Sequence, residues 1–279
     1  MNHADGRYLE AKRTVDDRAI DRRVRDRLLE ELPGAPRIRE AGVGTGVTVP
    51  RLLDWGVTAG DYVGVDRDPD VVALARDRRA SECGDERIAD GFRVDDLTVR
   101  FEHGDALTAF DGDRADCVVA QAFLDLVPVD DALDAFSDAL KPGGLVYAPI
   151  TFDGETIFQP DHPADAAVTA AYHDAIDAES GRDARAGRHL LDRCRARDGD
   201  LLAVGASDWV VHPPYPADER QFLATILDFV AEAVEGRVDG ADDWLRTRRR
   251  QLDAGELSYV AHGYDVLYRV PDTGDASRR

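Results

Sequence analysis

Residues 37–46, RIREAGVGTG, run a short strand-like segment into three glycines spaced two apart, Gly42, Gly44 and Gly46. The next residues, VTVPRLLDW at 47–55, read as a helix. A strand that turns through glycines into a helix lets backbone approach a bound group closely and aims the helix N-terminus at its negative end. The spacing is GxGxG, whereas the dinucleotide fingerprint GxGxxG needs glycine where Val47 stands, so a nicotinamide dinucleotide fits poorly. Glu40, two residues before the first glycine, would repel a pyrophosphate but suits a ligand carrying an ammonium and a sulfonium. The stretch therefore reads as a nucleotide-like cofactor site.

An acidic residue, any residue, then GxGxG resembles motif I of the class I methyltransferases, and the resemblance implies S-adenosylmethionine as cofactor. The neighbouring segments extend the likeness. DYVGVD, 61–66, reads as a second strand ending in Asp66, twenty positions beyond Gly46. In a strand–helix–strand unit a carboxylate there faces the same crevice and can accept both ribose hydroxyls. Helix capping is the competing role, and Asp68 fills it better, with Pro69 at the first helical position. Arg67 falls beside the adenine. Residues 84–96 read as a polar surface loop, and the strand in LTVRFEHGDAL ends at Gly104 and Asp105. The resemblance implies that Asp105 accepts from the adenine amino group and that Ala106 offers its amide to the ring.

The apolar run ADCVVAQAF, 115–123, reads as a fourth strand in the middle of a parallel sheet. Its end at Gln121, Ala122 and Phe123 should face the glycine loop where the strand order reverses, which adds Gln121 to the cofactor contacts. The Asp/Asn–PPY element of adenine- and glutamine-N-methylating enzymes is missing there, and the PPY at 213–215 follows a later strand. A helix, VDDALDAFSDAL, then the turn LKPGG at 140–144, lead to a fifth strand, LVYAPITF. This alternation predicts an α/β fold: a doubly wound, mostly parallel, seven-stranded sheet with helices on both faces.

The flanks read differently. Leu9, Ile20, Val24 and Leu28 recur at helical spacing before Pro33 and Gly34, so one or two amphipathic helices precede the first strand. They either pack on the sheet edge or, as the resemblance suggests, place Tyr8 and Lys12 over the cofactor. After Phe152, DGETIFQPDHP reads as a long loop. Helices follow near 164–178 and 188–197, then a strand LLAVGASDWVVHP, helices at 219–234 and 244–252, and a last strand near 257–270. The organisation expected is a helical cap at 1–36, a cofactor-binding core at 37–152, a C-terminal half at 153–270 with a helical insertion between the last two strands, and a disordered tail at 271–279.

The 279 residues carry a formal charge of −21 and only two lysines, Lys12 and Lys141. Such a surface is a poor partner for nucleic acid, which needs a basic stripe, and is accounted for by adaptation to high salt. Cys83, Cys117 and Cys194 have neither metal-site nor disulfide spacing. No secretory leader and no run of about 18 apolar residues is present, so a cytoplasmic protein away from membranes is expected. Methyl transfer from a sulfonium is an in-line displacement in which orientation supplies ~7–11 kcal/mol. A base is needed only for a protonated, poor nucleophile. His162, in the loop after the fifth strand, is the first candidate, ahead of His173, His189 and His262, with Trp209 and Tyr215 as aromatic walls. The arginines of 246–250 read as a solvated ion-pair surface. The expected function is methyl transfer to a small molecule. Competing readings are a nicotinamide-type oxidoreductase, a non-catalytic protein that binds the cofactor, and an aminopropyltransferase using Asp125 and Asp130.

Overall fold

A computed structural model describes residues 6–272; the rest of the expected tail, 273–279, lies outside the described residues. In chain order, helices α1 (Gly6–Ala11), α2 (Arg13–Ala19) and α3 (Arg22–Glu31) precede strand β1 (Arg37–Ala41). Then come α4 (Thr48–Asp54), β2 (Ala59–Asp66), α5 (Pro69–Cys83), β3 (Glu86–Ile88), β4 (Gly91–Val94), β5 (Asp96–His103), β6 (Ala115–Val119), α6 (Val129–Ala139) and β7 (Leu140–Gln159). The C-terminal part contributes α7 (Asp165–Asp177), α8 (Ala186–Ala196), β8 (Asp200–Ala206), β9 (Trp209–Val211), α9 (Glu219–Val234), α10 (Ala241–Ala254) and β10 (Ser258–Arg269).

The sheet order is β3-β4-β5-β2-β1-β6-β7-β10-β8, with β9 on β10. Parallel pairing joins β5, β2, β1, β6 and β7, and β1 lies between β2 and β6, so the direction of winding reverses beside it. That reversal opens a crevice at the C-terminal ends of these strands. Apolar residues on both faces explain why it forms. Leu133 and Phe136 of α6 and Leu190 of α8 cover one face. Val24 and Leu28 of α3, Leu52 of α4 and Val72 of α5 cover the other. A third cluster builds a cap from α1, α2, α7, α9 and α10, centred on Phe222, Tyr259 and Trp244.

Seven of the strands are those expected, and three are additional. The polar stretch 84–96 is a hairpin, β3 with β4, added antiparallel to β5. Phe92 anchors it, fully buried, and Gly91 crosses so closely that a Cβ there would lie 2.0 Å from the Val99 carbonyl. The segment expected as a loop after Phe152 continues β7 to Gln159, paired with β10. Its Asp-Gly-Glu is a bulge rather than a turn: the register shifts there, and Glu155 takes φ +50°. Conversely β6 stops at Val119, so residues 121–123 form a turn. The expected strand at 201–213 breaks at Ser207 and Asp208 into β8 and β9. The N-terminal helices pack in two places. α3 packs on β8 and β10, while α1 and α2 lie against α9 and β9.

Asp68 caps α5, its Oδ1 accepting from the amides of Asp70 (2.9 Å) and Val71 (3.2 Å). Asp68→Ala should lower stability by about 1 kcal/mol in urea unfolding.

Candidate functional site

The crevice is closed by the cap into a cavity of about 520 Å³. Its floor is the glycine loop. Gly42, Gly44 and Gly46 have φ of +68°, +53° and +76°, and a Cβ on Gly42 would lie 2.5 Å from the Phe123 ring. Gly42 and Gly44 line the cavity, whereas Gly46 points back at Phe101 and Arg79. The loop is tied down from β2: the Val43 amide donates to the Val65 carbonyl (3.0 Å), and the Gly44 amide donates to Asp66 Oδ2 (2.9 Å). Asp66 Oδ1 accepts from the Asp68 amide (3.1 Å). A carboxylate has about four acceptor positions, so Asp66, on the cavity wall, retains capacity for a ligand's hydroxyls.

Arg67, Ala106 and Gln121 also line the cavity, and Asp105 does not. Asp105 instead accepts from the Leu107 amide (3.0 Å) and holds the turn that presents Ala106. Glu40, expected at a ligand's ammonium, lies beneath the loop and off the cavity wall. β1 turns its side chain toward α4 and β2, where Thr48 Oγ1 donates to Oε1 (2.7 Å) and the Tyr62 hydroxyl donates to Oε2. Burial pushes its carboxyl up to about 7 against these hydrogen bonds. His162 is likewise remote: its amide donates to Asp165 Oδ2 (2.7 Å) and its Nδ1 accepts from the Ala164 amide (3.2 Å), shaping the entry to α7.

His262, held by Asp208 at 2.6 Å, does reach the cavity, as does Trp209; His173, His189 and Tyr215 do not. Tyr215 donates to the Leu257 carbonyl (2.7 Å). Of the 246–250 arginines, Arg248 is fully buried and bonds Asp165, a departure from the solvated surface expected, while Arg246 and Arg249 form exposed pairs. Tyr8 and Lys12 line the cavity from above.

One organising residue escaped the sequence reading. Asp16 of α2 is fully buried and accepts from Trp209 Nε1 (2.9 Å) and Gln121 Nε2 (3.1 Å), with Lys12 and Arg51 each 3.7 Å away. Arg51 in turn donates to Gln121 Oε1 (2.6 Å). The clue was an acidic residue on the buried face of an amphipathic helix, beside Val15 and one turn from Lys12 and Ala19. Beyond Gln121, Ala122 and Ile150 hold φ of +46° and +58° on the cavity wall. Ala122 donates to the Pro149 carbonyl (3.0 Å), and the Ile150 amide donates to the buried Asp265 (2.8 Å).

The sequence profile of the family described as "Methyltransferase domain" matches residues 39–148, the glycine loop through the core of β7. Residues 39–148 thus form a methyltransferase domain. No curated protein matches it in sequence. Among solved structures, a Bacillus halodurans protein provisionally classed as a methyltransferase aligns with a TM-score of 0.56 at 14% identity, over 89% of this chain and 98% of its own. The YcgJ protein of Bacillus subtilis aligns with a TM-score of 0.52 at 16% identity, over 86% of this chain and 94% of its own. These likenesses extend the shared fold of the methyltransferase domain to the sheet outside residues 39–148.

The buried Glu40 makes stability depend on pH. Its folded-state carboxyl titrates above the ordinary 4.5, so the native state holds a proton that the unfolded chain releases. The contribution is complete below the unfolded value and is lost as pH rises from about 4.5 through about 7. Glu40→Gln should flatten this part of the stability–pH curve, by up to ~3 kcal/mol over the window, in urea unfolding from pH 4 to 8.

Proposed function

We propose that the methyl donor lies across the glycine loop and that the cap receives a small-molecule acceptor. The observation carrying this is one cavity that holds the side-chain-free loop at Gly42 and Gly44, the carboxylate of Asp66, and a wall of cap side chains. The cradle fits the group: Gly42 and Gly44, at positive φ, bring bare backbone to the cavity wall, and Asp66 has acceptor positions to spare. The bound donor would supply an electrophilic methyl on a sulfonium. In this assignment Asp66 takes the ribose hydroxyls, Arg67 and Ala106 border the adenine, and Gln121, fixed by Arg51 and Asp16, flanks the far end. Glu40 acts from beneath, holding α4 and β2 around the loop rather than touching the ligand. Since Asp105 is engaged with its own turn, any adenine contact from it would have to be made from the rim.

The acceptor half is built by segments outside residues 39–148: Phe152, Tyr172, Ile226, Phe229 and Tyr259 enclose it. A cavity walled on this side by aromatic and aliphatic side chains suits a small molecule better than a polymer. A net charge of −21 further disfavours nucleic acid. A cytoplasmic, high-salt setting is supported by that charge and by three free cysteines. Among the described residues no helix is long and apolar enough to cross a membrane.

S-adenosylhomocysteine should bind in isothermal titration calorimetry, and NADH should not. Asp66→Ala should weaken binding by at least about tenfold through lost charge-assisted hydrogen bonds. Methyl label supplied to a cell extract should pass into the solvent-extractable fraction. Tight NADH binding without S-adenosylhomocysteine binding, or label confined to protein or nucleic acid, would contradict the assignment.

A further inference from the structure

The cavity holds one group that the cofactor assignment does not use. Asp125 lies on its wall in the turn after β6, and its Oδ1 is buried with no hydrogen-bond partner. A buried carboxylate oxygen left unsatisfied costs stability, so it is a place where a ligand can repay the cost. The turn is anchored on both sides. Phe123 abuts Gly42, and the Asp125 carbonyl accepts from the Asp183 amide (3.1 Å). Asp125 is therefore fixed close to the glycine loop.

Its surroundings select the ligand. Lys12 and Arg182 both line the cavity and both act on Asp125 electrostatically. Lys12 is only loosely paired, 3.7 Å from Asp16, and Arg182 bonds Glu179 at 2.9 Å. Lys12 and Arg182, although each also faces a carboxylate of its own, Asp16 and Glu179, bring positive charge to Asp125 that favours an oxygen gaining negative charge. The remaining walls are rings, from Phe152, Tyr172, Phe229 and Tyr259. Burial pushes the Asp125 carboxyl up to about 6 even against the two cations, which suits a group that takes a proton near neutral pH.

Resting on the methyltransferase reading, we propose that the acceptor is a hydroxylated aromatic compound and that Asp125 receives its hydroxyl proton. The O–H proton passes to Asp125 Oδ1, and the oxygen's electron pair forms the new bond to the donor's methyl carbon. The carbon–sulfur bond breaks with its pair retained by sulfur, and Asp125 returns the proton to solvent after product leaves. Lys12 and Arg182 stabilise the oxyanion as it forms.

The test is calorimetric, with the protein saturated with S-adenosylhomocysteine. Para-chlorophenol, para-chloroanisole and para-chlorobenzylamine serve as probes, alike in ring and differing in the polar group. The wild type should bind the phenol at least about tenfold more tightly than the ether, as expected for a hydrogen bond to a charged acceptor, and more tightly than the amine. Asp125→Ala should abolish the preference for phenol over ether. Asp125→Asn, which keeps the shape and an accepting carbonyl, should reduce it to about threefold or less. Both variants should hold S-adenosylhomocysteine within about twofold of the wild type, which also shows that they fold. A tighter amine, no phenol preference in the wild type, or full preference in either variant overturns the proposal. Failure of the wild type to bind S-adenosylhomocysteine would overturn the donor assignment first, and this proposal with it.

Discussion

A carboxylate with no solvent access, Asp16, is where four parts of the molecule meet: the N-terminal helices through its own backbone, α4 through Arg51, the end of β6 through Gln121, and β9 through Trp209. A charge removed from water is tolerated only when its oxygens are matched by donors and cations. Here those donors come from segments far apart in the chain, so satisfying Asp16 fixes their relative positions. Gln121 shows the effect. Its amide is gripped at both ends, by Asp16 and Arg51, and this orients the residue on the cavity wall without a strand to hold it.

The glycine-loop side of the cavity was largely legible in the sequence because it depends on backbone rather than on packing. Glycines at positive φ, a strand-terminal Asp66 and the helix cap at Asp68 leave signals that are local and short. Alternating strands and helices likewise disclosed a doubly wound parallel sheet whose order reverses at the expected fourth strand, since parallel connections have few solutions. Glu40 read less well. Its position before the first glycine was visible, but which face of β1 it occupies depended on Thr48 and Tyr62, and an oxygen taken by neighbours within the chain looks the same in sequence as one free for a ligand.

The cap side was legible as elements and not as a site. The helix at 219–234 was plain, but nothing local told that Ile226 and Phe229 would border the same space as Tyr8 and Asp125. Strand limits failed where polar residues sit inside strands. The Asp-Gly-Glu of β7 mimics a turn and is a bulge, while the polar hairpin of β3 and β4 is carried by one buried phenylalanine. Histidines were a poor guide for a related reason: His162 and His173 satisfy nearby backbone and side-chain groups, and of the four candidates His262 alone lines the cavity.

The length of β7 has a mechanical consequence. Its first half is a strand of the parallel sheet and its second half is a strand of the cap, and β10 runs alongside both. Two continuous, cross-bonded strands leave no joint about which the two halves could swing. The angle between the sheet and the cap is thereby set by continuous backbone, and altered selectivity in this scaffold would come from exchanging wall residues rather than from re-angling a hinge.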